Sequence, residues 1–223
     1  GMRPEIWHAE TGKTDPVSYR TEGETTVIPL DLPANGSQLI VFREKANAPR
    51  VDVPQPKLSL AGTLGKGWTL SFQPARGAPT TTAKLGQLSP LNENPDTAIR
   101  YFSGVSTYKT SFKVKTMPAK GQSLWVDLGK VGDLAQVWVN GKLAGTAWHS
   151  PYRVDIADAA RSGTNVLEVR VANLWVNRLI GDAQPGADKV AWTAVRTYGK
   201  DAPLRPSGLI GPVQILSEKG PGK

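Results

Sequence analysis

The feature that most constrains this chain is a period of two. Apolar side chains alternate with polar ones over short runs closed by Gly, Asn, Asp or Pro, and the 3.6-residue period of an amphipathic helix is almost missing. Trp68, Leu70 and Phe72 share one face of a run. Tyr108, Phe112 and Val114 share a face of the next, and Leu124, Val126 and Leu128 of the one after. Ala135, Val137 and Val139 alternate with Gln136, Trp138 and Asn140. Asn140-Gly141 follows directly, and both residue types tolerate the positive φ of a type I′ hairpin turn. Val154 and Ile156, then Leu167, Val169 and Val171, continue the pattern, and Pro212 to Leu216 is the last run. Ala157 to Ser162 has room for one helical turn, and no repeat of solenoid or propeller length is present. Strands that each bury one face require two facing sheets, so the pattern predicts an all-β antiparallel sandwich.

The first part of the chain reads differently. Val27-Ile28-Pro29-Leu30 and Leu39-Ile40-Val41-Phe42 are two extended runs, joined by a connection that holds the turn signal Asn35-Gly36. Residues 46–57 then carry three prolines and little that can pack, a stiff linker composition that places a boundary near residue 50. Gly1 before Met2 reads as the scar of a removed tag, and no signal peptide follows, so the chain is expected to be a segment of something longer.

Composition removes several classes of function. No apolar run approaches the ~20 residues of a membrane-spanning helix. The absence of Cys removes thiol nucleophiles, disulfides and cysteine zinc sites, and two histidines, His8 and His149, make a multi-histidine metal centre improbable. The net charge of +8 suggests a nucleic-acid binder, but no two basic residues are adjacent, and Lys109, Lys113 and Lys115 alternate through a strand as a solvated face does. Solubility is the reading preferred for the charge, and no nucleic-acid partner is expected.

Particular residues carry a resemblance. Tyr101-Phe102-Ser103-Gly104-Val105-Ser106-Thr107-Tyr108, continued to Phe112, resembles the opening of the sugar-binding domain of glycoside hydrolase family 2. The stretch from Leu128 through Trp138-Val139-Asn140-Gly141 to Gly145 is similar to that family's most recognisable segment, and Pro151 to Ile156 and Gly163 to Val171 continue it. Asn173-Leu174-Trp175-Val176-Asn177-Arg178, with Pro206-Ser207-Gly208-Leu209-Ile210-Gly211-Pro212-Val213, resembles the C-terminal region of large bacterial α-L-rhamnosidase-type glycoside hydrolases of family 106. Glu5 to Gly12 resembles the phrase that closes the β-domain before it in those enzymes. The resemblance implies a galactose-binding-like jelly roll over 58–217, a Pro-rich linker over 49–57, a short β-hairpin remnant of a preceding β-domain over 1–48, and a tail over 218–223. It also implies a periplasmic or extracellular bacterial location and catalytic carboxylates in a separate (β/α)₈ barrel. No βαβ alternation marks such a barrel here.

Two loops offer the chemistry of sugar binding, aromatic planes for C–H faces with amides and Arg forks for hydroxyls. One is Trp148, His149, Tyr152 and Arg153, where Pro151 argues for a connection outside the sheet. The other is Trp175, Asn177, Arg178 and Asp182, where alternation stops after Val171. Trp68 and Trp138 read as core, and Trp192 has less in its favour. Carboxylate pairs for glycoside hydrolysis, Asp155 with Asp158 or Glu93 with Asp96, are better read as strand, cap and loop residues, with Asp158 capping the turn near Ala159. No cofactor is expected; a structural calcium built from Asp127, Asp133 or Asp182 stays as an alternative, without the D-x-D-x-D-G string of a dedicated loop. The sequon Asn35-Gly36-Ser37 reads as a turn.

Three functions follow. The first is a non-catalytic accessory sandwich that braces the catalytic domain of the same polypeptide and contacts a plant or bacterial glycan of neutral or deoxy sugars. The second is an autonomous carbohydrate-binding module. The third and least supported is a self-sufficient glycosidase.

Overall fold

In a computed structural model that describes residues 1–9, 12–33, 36–195 and 197–219, the alternating runs become strands and the chain divides into two units, Gly1–Lys57 and a second from Leu58 onward. Asn35 of the Asn35-Gly36 turn and sequon, Glu10 and Thr11 of the Glu5–Gly12 phrase, and the end of the 218–223 tail lie outside the described residues.

The first unit holds β1 (Met2–Trp7), β2 (Thr14–Pro16), β3 (Tyr19–Glu22), β4 (Thr25–Val27), β5 (Leu39–Lys45) and β6 (Arg50–Val51). They form two three-stranded sheets, ordered β2-β1-β5 and β4-β3-β6. β3 and β4 make a two-residue hairpin whose Gly23 has φ of 60°. The runs 27–30 and 39–42 do not pair with each other. β4 stops at Val27, two residues before Pro29 removes a backbone donor, and Leu39–Phe42 lies in β5 against β1. The segment read as a linker also docks. Arg50 and Val51 pair with β3, Tyr19 Oη donates to the Ala48 carbonyl at 2.9 Å, and the Val53 amide donates to Ser18 Oγ at 2.9 Å. Prolines stiffen a segment without removing the donors and acceptors between them. Glu5 is buried beside Arg3 and Arg43; hydrogen bonds from Arg43 and Trp7 outweigh its burial and hold its carboxyl below the ordinary pKa.

The second unit is a sandwich. β7 (Lys57–Thr63), β8 (Trp68–Phe72) and β9 (Ala83–Leu85) lead to a 3₁₀ turn (Leu91–Glu93) and α1 (Thr97–Arg100). Next come β10 (Gly104–Val114), β11 (Leu124–Asp127), β12 (Lys130–Val131), β13 (Leu134–Val139), β14 (Lys142–Ala147), β15 (Arg153–Asp155) and β16 (Gly163–Asn173). The chain closes with α2 (Val176–Asp182), β17 (Leu209–Gly211) and β18 (Gln214–Lys219). One sheet has the order β14-β13-β16-β10-β8-β9, the other β15-β11-β18-β7, and β12 pairs with β17. Late strands insert between early ones, as a jelly roll requires: β16 lies between β10 and β13, and β18 between β7 and β11.

The core is the set of alternating residues. Trp68, Leu70, Tyr108, Phe112, Val137, Val139, Leu167, Val169 and Val171 line one inner face, and Leu124, Val126, Val154 and Ile215 the other. Each such burial contributes about 1.5–3 kcal/mol. Asn140 and Gly141, at φ of 53° and 80°, close the β13–β14 hairpin as a type I′ turn. Trp138 is the exception among the expected core aromatics. It alternates with Val137 and Val139, so it points outward and stands half-buried beneath Arg170. The last strand begins at Gln214, past Pro212.

Candidate functional site

The register gathers the predicted loops at one end of the sandwich. β14 ends at Ala147, paired with Ala135 near the start of β13, while Leu134 pairs with Ala172 near the end of β16. Trp148 and Trp175 therefore leave from the same end of two strands, β14 and β16. β13 stands between them, which sets the two exits about 10 Å apart. Residues 148–152 then cross to the four-stranded sheet, where Arg153 opens β15, so Trp148, His149, Tyr152, Arg153 and Trp175 share one rim.

Trp148 and Trp175 are 58% and 55% exposed. The Trp148 and His149 rings meet edge to face, with centroids 4.7 Å apart, and His149 Nδ1 lies 3.0 Å from the Ser150 carbonyl. Tyr152 is half-buried against the core, and its carbonyl accepts from the Leu128 amide at 2.8 Å. Arg153 Nε donates to Asp127 Oδ2 at 2.7 Å, and Asp127 Oδ1 accepts from the Gly129 amide at 2.9 Å. That clamp fixes the base of the loop and leaves an exposed guanidinium on the rim.

Asn177 and Arg178 go the other way. They fall on α2, both buried, and belong to the frame. Asn177 Nδ2 donates to the Arg205 carbonyl at 2.7 Å and its Oδ1 accepts from the Arg205 amide at 2.8 Å. Arg178 and Asp182 form an ion pair of 2.9 Å, both side chains about one-tenth exposed. Asp182 also accepts from the Val190 and Ala191 amides at 3.1 and 2.8 Å. The physical reason is the irregular chain between α2 and β17. Its backbone has no ladder partner, so inward polar side chains must supply one. The i, i+4 spacing of Arg178 and Asp182 was the sequence signal for this pairing.

Asp133, offered by the sequence as a candidate calcium ligand, stands between the two tryptophan exits. It holds φ of 91° at the entry to β13. Burial raises its pKa, against the opposing pull of the Leu174 amide and the Arg205 charge. The signal was Gly132-Asp133, a turn pair ahead of a strand. Gly132 is needed there because a Cβ would lie 2.5 Å from Ser207 Cα, and its amide donates to the Gly208 carbonyl at 2.8 Å. Asp127, Asp133 and Asp182 thus each serve a separate contact, and among the described residues no three His, Cys, Asp or Glu side chains group as a cation site. Beneath the rim, Asn173 ties Gly104, Ser106 and Gly208 together. Burial pushes the nearby core Tyr108 hydroxyl up to about 12, which keeps it neutral.

The other carboxylates are framework. Asp155, half-buried, accepts from the Leu124 and Ala157 amides at 3.3 and 3.0 Å. The carboxylate that holds the turn before Ala159 is therefore Asp155 and not Asp158, whose carbonyl accepts from Lys142 Nζ at 3.1 Å. Asp96 caps α1 through the Ala98 amide at 2.9 Å, and Glu93 ends the 3₁₀ turn. Trp192, 81% exposed, follows the backbone amides held by Asp182.

The chain is thus a jelly-roll sandwich whose aromatic and charged loops lie at one end. Residues 88–202 match the family described as glycosyl hydrolase 2 galactose-binding domain-like, and the chain belongs to that family. It is similar to a rhamnosidase from Novosphingobium sp. PP1Y, with 52% identity and a TM-score of 0.91 over 98% of this chain and 21% of that one. A Formosa agariphila protein named "Putative beta-glucuronidase" is 34% identical over 188 residues, 73% of this chain and 16% of that protein. A β-glucuronidase of an uncultured Clostridium sp. shares the fold at 20% identity and a TM-score of 0.50, over 75% of this chain and 30% of that one. The chain thus spans about a fifth of the rhamnosidase and less of the Formosa protein.

Proposed function

We propose that this chain is a non-catalytic accessory domain of a larger, secreted bacterial glycoside hydrolase resembling α-L-rhamnosidases. It braces the catalytic domain of the same polypeptide, and its rim, Trp148 to Arg153 with Trp175, contacts a glycan of neutral or deoxy sugars. One observation carries this reading: two tryptophans, 58% and 55% exposed, leave the ends of two strands separated only by β13 in a galactose-binding-like sandwich. Asp133, between them, supplies a carboxylate for sugar hydroxyls. The first unit fits the remnant of a preceding β-domain, since Val17 and Tyr19 are its buried hydrophobic residues among those described, while Trp7, Leu30, Leu32, Leu39 and Phe42 stay exposed. Export to the periplasm or beyond belongs to the same reading.

The test uses the 223-residue chain, Trp148→Ala, Trp175→Ala and the double variant, in affinity electrophoresis through gels holding rhamnose-containing polysaccharide. Retardation lost in the double variant, together with no turnover of aryl glycosides, supports the proposal. Retardation unchanged in the double variant removes the rim assignment, and turnover by this chain removes the accessory role. Micromolar binding by the free chain favours the alternative, an autonomous carbohydrate-binding module.

A further inference from the structure

The outward face of the six-stranded sheet carries a second constellation, independent of the rim. Lys84, Thr69, Lys109, Glu168, Trp138 and Leu143 stand in one register row, one residue from each strand between β9 and β14. In the adjacent outward row Thr107 and Gln136 flank Arg170. Residues directly opposite across a ladder have Cβ atoms about 5 Å apart, so each row works as one surface.

Arg170 is held in place before any ligand arrives. Its guanidinium carbon lies 4.6 Å from the centroid of the Trp138 ring, and its Nε donates to Glu168 Oε1 at 2.6 Å. Glu168 Oε2 takes the Lys109 ammonium at 2.8 Å. Burial raises the Glu168 pKa, but Lys109 and Arg170 outweigh it and hold the carboxyl below its ordinary value. The side chain of Arg170 keeps 43% of its exposure, and no hydrogen bond or ion pair within the described residues engages its two Nη groups. Those are the donors that chelate a planar carboxylate. Lys109, Arg170 and Glu168 together carry one net positive charge, which complements one monoanion. A phosphate backbone requires a line of cations and would meet Glu168 at the centre of this row.

The geometry points to a subsite on this face for the carboxylate of a uronate-bearing glycan, received by Arg170 with Lys109 alongside. Gln136 and Thr107 offer an amide and a hydroxyl to the neighbouring sugar hydroxyls. Rigid placement on two central strands is what separates this Arg from the other surface cations.

The experiment titrates the ¹⁵N-labelled 223-residue chain with tri-galacturonate and, in parallel, with a neutral galacto-oligosaccharide and a short single-stranded oligonucleotide, following the tryptophan indole signals. The Trp138 indole signal, identified by its loss in Trp138→Phe, is expected to shift saturably with tri-galacturonate alone. Arg170→Lys keeps the charge but loses the fork, and is expected to weaken binding about tenfold. Trp148→Ala and Trp175→Ala are expected to leave the titration unchanged. If Arg170→Lys does not fold, the pair Thr107→Val and Gln136→Ala carries the test, with a severalfold weakening expected. An unmoved Trp138 signal at millimolar ligand, an equal response to either control, or full affinity in Arg170→Lys or, where that variant does not fold, in the Thr107→Val and Gln136→Ala pair overturns the subsite. Binding of tri-galacturonate lost only in the rim variants also overturns it, while failure of the rim to hold neutral glycan leaves this outcome untouched.

Discussion

Replacing Asn177 by Ala separates a frame residue from a ligand residue. The side chain is 2% exposed and makes two short bonds with the Arg205 peptide, 2.7 Å as donor and 2.8 Å as acceptor. Each such bond is worth about 1 kcal/mol net, and leaving its buried partner unpaired adds to that, so the expected loss is about 2–4 kcal/mol. For a unit of this size 1 kcal/mol moves the midpoint by about 2–4 °C, which predicts a fall of about 5–15 °C in thermal unfolding followed by tryptophan fluorescence. Asn177→Asp keeps the acceptor, loses the donor and adds a charge facing the Arg205 carbonyl, so it should melt no higher than Asn177→Ala. Glycan retention per folded molecule should match that of the unaltered chain. A variant that melts within 1 °C of the parent yet loses glycan retention would refute the reasoning, because Asn177 would then be reaching ligand.

Other substitutions probe different links. Trp148→Ala and Trp175→Ala should each change stability by about 0.5 kcal/mol or less in urea titrations, since half-exposed side chains lose little packing. Gly132→Ala would place a Cβ 2.5 Å from Ser207 Cα, so a loss of about 1–3 kcal/mol and weaker glycan retention are expected together; retention unchanged at lowered stability would separate β12–β17 from the rim. Glu168 is held below its ordinary carboxyl pKa of 4.5, so it stabilises the fold above that value and its contribution disappears as pH falls through the lower folded pKa. The stability gap between the parent and Glu168→Gln should be constant near neutrality and narrow as the pH falls below 4.5 in denaturant titrations. Asp133 has the opposite sign. Its raised folded pKa means that ionisation costs stability, so Asp133→Asn should melt higher than the parent near neutrality and lose that advantage in acid.

Alternation by itself determined the sandwich. Leu124, Val126 and Leu128, or Leu167, Val169 and Val171, can bury one face only if the chain is extended, and their spacing is a local property of the backbone. The Asn140-Gly141 turn was equally local, since positive φ at two successive positions selects those residues. The same alternation carried the information that Trp138 faces outward; reading it as core alongside Trp68 obscured it, because composition says nothing of which face a residue occupies.

What only the tertiary structure decided was long-range. That β16 inserts between β10 and β13 brings Trp148 and Trp175, far apart in sequence, to one rim, and no local period encodes which strand ends become neighbours. Nor does it encode which polar groups are needed inside. Asn177 and Arg178 resembled surface chemistry until the irregular chain before β17 presented backbone groups that had to be paired. Strand patterning follows from the geometry of single residues, whereas the rim and its buried supports follow from which distant segments meet and what each meeting leaves to be hydrogen-bonded.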